Sequence, residues 1–165
     1  MVTYLHDNLP ESVSASLSTP APNSIILRCP FQKCNTRLLK LSSSYPQVSL
    51  NSDSSTSNIK MINLKSLDED PNDTSQTSSF YQVNDVWDFD NIGVSRPSQE
   101  LQQELLHVNH SKDDQFKIER ILICSECDKG PLGLAGFNEN DSNKDVKNLT
   151  YFLSCKSVLH DVKEI

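Results

Sequence analysis

The sequence has few apolar residues and no long hydrophobic run. Its hydrophobic share of 36% is low for a fully packed globule of 165 residues, so we expect much of the chain to lie outside the core. No apolar stretch approaches the roughly 20 residues that span a bilayer, and residues 1–24 contain several prolines and no apolar signal segment. We therefore expect no membrane insertion and a cytosolic protein whose thiols stay reduced.

Positive charge is also scarce. The chain has 15 Lys and Arg against 22 Asp and Glu, which gives a formal net charge of -7. An acidic surface repels phosphate backbones, so we expect no nucleic-acid partner. A P-loop is absent, and we expect the chain itself not to hold a nucleotide. The four histidines, His6, His107, His110 and His160, are scattered in polar settings, and we predict that all of them lie at the surface.

Four of the five cysteines form two closely spaced pairs. Cys124 and Cys127 form a C-x2-C motif between an apolar run and Lys-Gly-Pro, and Cys29 and Cys34 form a C-x4-C pair far upstream. Each pair can supply half of a tetrahedral site, so the spacing predicts one structural Zn²⁺ bound by all four thiolates. Such a site has no open coordination position and is not a catalytic centre.

Three other uses of these cysteines compete with zinc. A thioredoxin-type redox motif places its first thiol at a helix N-terminus, whereas Gly130 and Pro131 follow Cys127 almost at once and disfavour a helix. A pair of disulfides needs an oxidising compartment and therefore an export signal, which the sequence does not show. The third alternative is four unrelated buried thiols.

Composition divides the chain into segments. Residues 1–23, rich in Ser and Pro, predict a disordered N-terminal arm, and residues 24–165 predict a single zinc-binding β domain. Within it, residues 42–79 are rich in Ser, Asn, Asp and Thr and predict a mobile insertion with one apolar island at 58–65.

Apolar patterning predicts strands on both sides of that insertion, so that each cysteine pair lies at a strand end. The predicted strands are 24–29, 36–41, 113–124, 130–137 and a last strand within 148–159. Ser98 as a cap, followed by Leu101, Leu105 and Val108 at helical spacing, predicts one short helix.

The segment from Phe80 to Val94 mixes the only Trp with several aspartates. An extended conformation would place Trp87 and Asp85 on one face and Val86 and Asp88 on the other, so neither face would be apolar. Two interpretations remain open. In the first, the segment is a partner-binding loop with aromatic anchors and with carboxylates that steer a basic partner. In the second, Trp87 and Phe89 belong to the core and the aspartates are their solvated neighbours.

Two motifs together resemble a known family. Residues 85–93, Asp-Val-Trp-Asp-Phe-Asp-Asn-Ile-Gly, and residues 122–133, Leu-Ile-Cys-Ser-Glu-Cys-Asp-Lys-Gly-Pro-Leu-Gly, closely resemble the Rab guanine-nucleotide dissociation stimulators known as suppressors of sec-four. This family includes the Rab-interacting factor of animals. The x4 spacing of the first cysteine pair resembles its fungal branch. The resemblance covers residues 24–41 and 80–160.

The resemblance implies a mainly β fold, a small antiparallel β-tent in which one zinc clamps a pair of hairpins. It implies that the zinc ligands are Cys29, Cys34, Cys124 and Cys127. By matching motif positions, it further implies a set of partner-contacting residues, namely Asp85, Val86, Trp87, Asp88, Asp90, Asn91 and Glu126. Phe89 and Ile92 are expected to be core residues.

The implied function is that of a guanine-nucleotide releasing factor without covalent chemistry. It would bind nucleotide-free exocytic Rab GTPases, release their GDP or chaperone the empty form, and act in vesicle-mediated protein transport and exocytosis. We expect a cytoplasmic monomer that reaches membranes only peripherally, through its Rab partner.

Two alternatives from other classes remain. The first is a passive zinc-ribbon interaction module with no effect on nucleotide. The second is a methionine sulfoxide reductase of the zinc-containing B type, whose fold the β-tent resembles and whose nucleophile would be Cys155. Because Ser154 and Ser157 depart from the reductase pattern, we predict that Cys155 is a small buried residue.

Overall fold

The computed structural model describes residues 2–11, 23–52, 59–101, 105–111, 113–142 and 145–164. The fold of these residues is mainly β, with several single 3₁₀ turns between strands. None of the helices in the described residues has the length and apolar character needed to cross a bilayer. The strands are β1 Val2–Tyr4, β2 Asn23–Arg28, β3 Arg37–Leu41, β4 Gln47–Ser52, β5 Met61–Ile62, β6 Thr74–Ser75, β7 Ser79–Val83, β8 Ile92–Val94, β9 Leu105–Val108, β10 Gln115–Cys124, β11 Gly133–Asn138, β12 Thr150–Ser154 and β13 Leu159–Glu164.

The strands form two main antiparallel sheets and a small hairpin. One sheet has the order β1-β13-β2-β3, and the other has the order β11-β12-β7-β4-β9-β10-β8. Because β10 also pairs with β11, six strands of the larger sheet close into a ring. β10 is long enough to pair with β9 through its first half and with β8 through its second half.

The core is divided by the faces of the larger sheet. On one face Phe116 and Phe152 meet edge to face, with ring centroids 5.2 Å apart. On the other face Tyr81, Leu153 and the inner residues of the smaller sheet pack together. The alternation of apolar residues in β10 follows from this arrangement, since Phe116, Ile118, Leu122 and Cys124 are all buried.

Two glycines let β11 approach its neighbours closely. A Cβ atom at Gly133 would lie 2.3 Å from the Phe152 carbonyl oxygen, and one at Gly136 would lie 2.4 Å from the Lys117 carbonyl oxygen. Any side chain at either position would displace backbone, so β11 requires glycine at both positions. The spacing of β11 from β10 and β12 therefore depends on these two residues.

The structure confirms the predicted strands on either side of the two cysteine pairs and differs from the sequence interpretation elsewhere. The predicted last strand is two strands, β12 and β13, separated by the turn Cys155–Ser157. The predicted short helix is not formed at Leu105–Val108, which is β9 and pairs with both β4 and β10. Pairing on both edges outweighs the helical spacing of its leucines, and residues 102–104 lie outside the described residues.

The polar segments also contain strands. Val2–Tyr4 lies within the predicted disordered arm but pairs with β13, and residues 12–22 of that arm lie outside the described residues. The predicted mobile insertion, residues 42–79, contains β4, β5 and β6, while its residues 53–58 lie outside the described residues. β4 completes the ring between β7 and β9. Composition alone does not reveal this, because its apolar residues are only Val48 and Leu50.

Candidate metal centre and acidic loop

The first cysteine pair lies on a tight turn between β2 and β3. The amide of Cys29 donates to the Thr36 carbonyl at 2.9 Å, which closes the turn. Inside it, the amides of Cys34 and Asn35 both donate to the Phe31 carbonyl, at 3.0 and 2.8 Å. Asn35 has a φ of 49°, in the left-handed region that Asn tolerates better than most residues. This turn aims both thiols to the same side.

The second pair lies on a similar turn at the end of β10. The amide of Cys124 donates to the Lys129 carbonyl at 3.0 Å, and the amide of Asp128 donates to the Cys124 carbonyl at 2.8 Å. Asp128 has a φ of 59° and directly follows Cys127, as Asn35 directly follows Cys34. We call these two turns, residues 29–36 and 124–129, the knuckles. Each ends its cysteine pair with a residue suited to the left-handed region.

The knuckles bring all four sulfur atoms together. The Sγ atoms lie within 4.8 Å of one another, and all five cysteines of the chain are free thiols. Sγ of Cys29 is 3.7 Å from that of Cys127, and Sγ of Cys34 is 3.6 Å from that of Cys124. A tetrahedron with metal–sulfur bonds of about 2.3 Å has edges of about 3.8 Å. The four thiols therefore form a group that can hold one metal ion.

Burial disfavours the negatively charged form of these thiols when no cation is bound. Burial raises the pKa of Cys29 and that of Cys124 above the ordinary thiol value. At Cys34, burial also acts to raise the pKa, but the Thr36 amide and the neighbouring thiols outweigh it, so the pKa of Cys34 is lowered. The site thus favours one thiolate by itself, and a divalent cation would be needed to stabilise four.

A further contact joins the knuckles outside the sulfur cluster. The Nζ atom of Lys129 lies 4.4 Å from the ring centroid of Phe31, which is a cation–π distance. Glu126 is exposed on the second knuckle and, with Lys33, Lys129 and Asp70, lines a shallow depression beside the cysteines. This depression carries charges of both signs.

The segment after β7 forms a capped turn that projects the only tryptophan. Val86–Asp88 is a single 3₁₀ turn, which we call the Trp87 turn. The Asp85 carboxylate caps it by accepting a hydrogen bond from the Trp87 amide at 2.9 Å. Trp87 is 89% exposed, so its interpretation as a core residue is wrong. For Phe89 the core interpretation is confirmed, since it is buried and meets Tyr151 edge to face.

Hydrogen bonds tie residues 85–91, which we call the acidic loop, to both knuckles. On the side of β3, the Asp90 amide donates to the Leu38 carbonyl at 2.8 Å, and the Asp90 carboxylate accepts from Arg37 Nε at 2.7 Å. The Asn91 side-chain amide donates to the Arg37 carbonyl at 2.9 Å and, in the first knuckle, to Thr36 Oγ1 at 3.2 Å. On the side of β10, the Ser125 amide donates to the Asn91 carbonyl at 3.0 Å. The position of the loop therefore depends on how the knuckles are held.

Cys155 lies outside the sulfur cluster, in the buried turn between β12 and β13. Burial raises the pKa of its thiol to about 12, so little thiolate forms at neutral pH. This environment disfavours the reductase alternative, which needs an accessible nucleophile. The prediction that Cys155 is a small buried residue is confirmed.

The histidine prediction is wrong at two positions, because His160 and His107 are buried. His160 faces Tyr81, whose hydroxyl lies 2.8 Å from its Nε2 atom, while its Nδ1 atom lies 3.2 Å from the Val158 carbonyl oxygen. A carbonyl can only accept, so Nδ1 carries the proton and the Tyr81 hydroxyl donates to Nε2. Residues 81 and 160 lie far apart in the sequence and form no motif, so sequence patterns do not predict this pair.

Comparison with known proteins agrees with this arrangement. The family model described as Mss4 protein matches residues 24–160. The chain is also similar to Protein DSS4 of Saccharomyces cerevisiae, with 36% identity over 96 residues, which cover 52% of this chain and 64% of the yeast protein. The match thus spans less than two thirds of the yeast protein's length. Since the family match includes both knuckles and the acidic loop, the chain belongs to the Mss4 family.

Proposed function

We propose that this protein binds nucleotide-free Rab GTPases of the exocytic type and promotes the release of their GDP. The observation that carries the proposal is the 89% exposed Trp87 on a loop that is hydrogen-bonded to both knuckles. Membership of the Mss4 family and similarity to Protein DSS4 support it. The protein would act by binding alone, with no covalent chemistry.

The proposed metal is one Zn²⁺, with Cys29, Cys34, Cys124 and Cys127 as its ligands. Their Sγ atoms lie within 4.8 Å of one another, with two of the distances at 3.6 and 3.7 Å, and four cysteines are a usual donor set of structural zinc sites. Bound zinc would fix the two knuckles relative to each other. Because the acidic loop is hydrogen-bonded to both knuckles, zinc would also fix the surface offered to the GTPase.

In this proposal Trp87 is the anchor of the interface. A large aromatic side chain held outside the core gains free energy when a partner covers it, and such residues dominate many interfaces. The Asp85 cap restrains the backbone beneath the indole, so little conformational entropy is lost on binding. The carboxylates of Asp85, Asp88 and Asp90 would face basic groups of the GTPase. Val86 and Asn91 of the same loop would also contact the GTPase, and Glu126 would add a contact from the second knuckle.

Nucleotide release then follows from thermodynamic coupling. If the protein prefers the empty GTPase, its binding must lower the affinity of the GTPase for GDP, and GDP must lower the affinity for the protein by the same factor. Added GDP or GTP should therefore dissolve the complex. The same preference would let the protein act as a chaperone of empty GTPases. We expect the loop to stabilise a GTPase conformation whose nucleotide-binding segments are displaced.

The test is release of fluorescent GDP from a panel of Rab GTPases, with and without the protein. Trp87→Ala should lower affinity for the nucleotide-free GTPase by tenfold or more, because it removes an anchor from the centre of the interface. Leu67→Ala is the matched control, since Leu67 is an exposed apolar residue elsewhere. Binding without faster GDP release would identify a passive interaction module instead. Affinity of Trp87→Ala within twofold of wild type would refute the role of Trp87.

A further inference from the structure

A second capped turn lies at the same end of the larger sheet as the Trp87 turn. Val146–Asn148 is a single 3₁₀ turn directly before β12, and we call it the Val146 turn. Its cap repeats that of the first turn, since the Asp145 carboxylate accepts a hydrogen bond from the Lys147 amide at 3.1 Å. In both turns an Asp at the cap position holds the amide two residues further on.

Strand register places the two turns at the same end of two neighbouring strands. β7 and β12 are antiparallel neighbours, and Val83 pairs with Tyr151. The Trp87 turn follows Val83, and the Val146 turn precedes Tyr151 by a similar number of residues. Because antiparallel pairing brings the end of one strand beside the start of the other, both turns emerge at the same end of these two strands. Leu149, between the second turn and β12, is buried and anchors it.

Both turns expose a large apolar side chain. Val146 is 55% exposed and Trp87 is 89% exposed. In the part of the chain that the structure describes, Val2 and Leu67 are the other large apolar residues with comparable exposure. A single exposed apolar residue is ordinary on a protein surface, but two on capped turns at the same end of neighbouring strands are candidates for one apolar patch. Aspartates lie beside both, namely Asp85 and Asp88 on one turn and Asp145 on the other.

We infer that the Val146 turn is a second contact for the same GTPase, with Val146 as an apolar anchor beside Trp87. This inference rests on the proposed function and extends its surface from one turn to two. The partner surface that fits this patch has an apolar strip long enough to cover both side chains. It also has basic groups at its rim. Apolar anchors surrounded by charged groups are the usual anatomy of a specific interface.

The experiment measures affinity for a nucleotide-free Rab GTPase that the wild-type protein binds. Val146→Asp should lower this affinity about tenfold, because it loses apolar burial and brings a carboxylate into the patch. Val2→Asp and Leu67→Asp are matched controls, since they make the same kind of change at exposed apolar positions elsewhere. All three variants should melt close to wild type, because none of these side chains is buried.

The outcomes separate this inference from the proposed function. If Trp87→Ala weakens binding tenfold and Val146→Asp stays within twofold of wild type, the second contact is refuted while the proposed function stands. Equal losses in Val146→Asp and in the two controls would also refute it, since the effect would then not belong to this patch. If wild-type protein binds no GTPase of the panel, the proposed function itself fails.

Discussion

The cysteine end of the molecule and the side covered by the N-terminal strand are held in different ways. At the cysteine end, two turns of fixed local geometry bring four thiols within 4.8 Å of one another. On the N-terminal side, β1 pairs with β13, and His6 in the following 3₁₀ turn packs against Tyr81 and His160, with ring centroids 6.1 and 5.4 Å apart. The first region depends on motifs read within a few residues, and the second on contacts between residues far apart in sequence.

The difference shows where the stability of each region comes from. The cysteine end has four thiols that can share one metal ion, and a bound ion would contribute most of the free energy that stabilises this end. The N-terminal side depends on desolvated hydrogen bonds, which contribute only about 1 kcal/mol each but are costly to break when one partner is left alone. Removing the metal should therefore have a larger effect than any change on the N-terminal side.

The largest expected effect is that of Cys124→Ser. Losing one buried ligand should abolish zinc binding, and structural zinc sites contribute on the order of 10 kcal/mol, which is comparable with the whole stability of a small domain. We expect a protein without bound zinc that is unfolded or melts far below wild type. Elemental analysis and a thermal melt followed by circular dichroism measure both results.

Cys155→Ser is the control, because this thiol is buried but lies outside the sulfur cluster. It should keep its zinc and lose only modest stability. A Cys124→Ser protein that melts like wild type would contradict the view that the metal holds this end together.

The second effect is a pH dependence from the N-terminal side. Burial, with a smaller contribution from His6, lowers the pKa of His160 from 6.5 to about 3. Below pH 6.5 the unfolded chain binds a proton there that the folded protein does not bind until about pH 3. The stability is therefore fully present above the unfolded value and falls with falling pH, by roughly 1.4 kcal/mol per pH unit inside this window.

Urea unfolding between about pH 7 and about pH 5 measures this slope, and His160→Gln provides the comparison. The variant lacks the titrating group, so its stability should fall less steeply than that of wild type over the same range. Other groups contribute equally to both proteins and cancel in the difference. Parallel slopes would show that His160 is not the source.

The smallest effect compares one ion pair from each region. The Asp161 carboxylate accepts from Arg28 Nε and from Thr3 Oγ1, both at 3.0 Å, and its side chain is 12% exposed. Asp90 pairs with Arg37 but is 40% exposed. Asp161→Asn should cost about 1–3 kcal/mol, and Asp90→Asn less than about 1 kcal/mol because solvent screens it. Urea unfolding of both variants measures these losses of stability, and a larger loss for Asp90→Asn than for Asp161→Asn would contradict the comparison.

The metal centre was the part most open to prediction. Cysteine spacing and the turn residues beside it are local, and the same local geometry forms in the fold at both knuckles. The acidic loop was only partly open to prediction, because its mixed pattern fits no regular strand. The Asp85 cap and the bonds of Asp90 and Asn91 to β3 and the first knuckle explain the mixture, since these polar groups hold the backbone while Trp87 stays exposed.

By itself, the sequence determined the strands that flank the cysteines, the four cysteines that come together, and the family. Only the tertiary structure decided that Leu105–Val108 is a strand, that His6 packs against His160, and that the Trp87 and Val146 turns lie at the same end of neighbouring strands. The reason is the range of the interactions. Turn geometry and cysteine spacing are fixed within a few residues, whereas edge pairing, burial of a histidine and the meeting of two turns depend on strands brought together from distant parts of the chain.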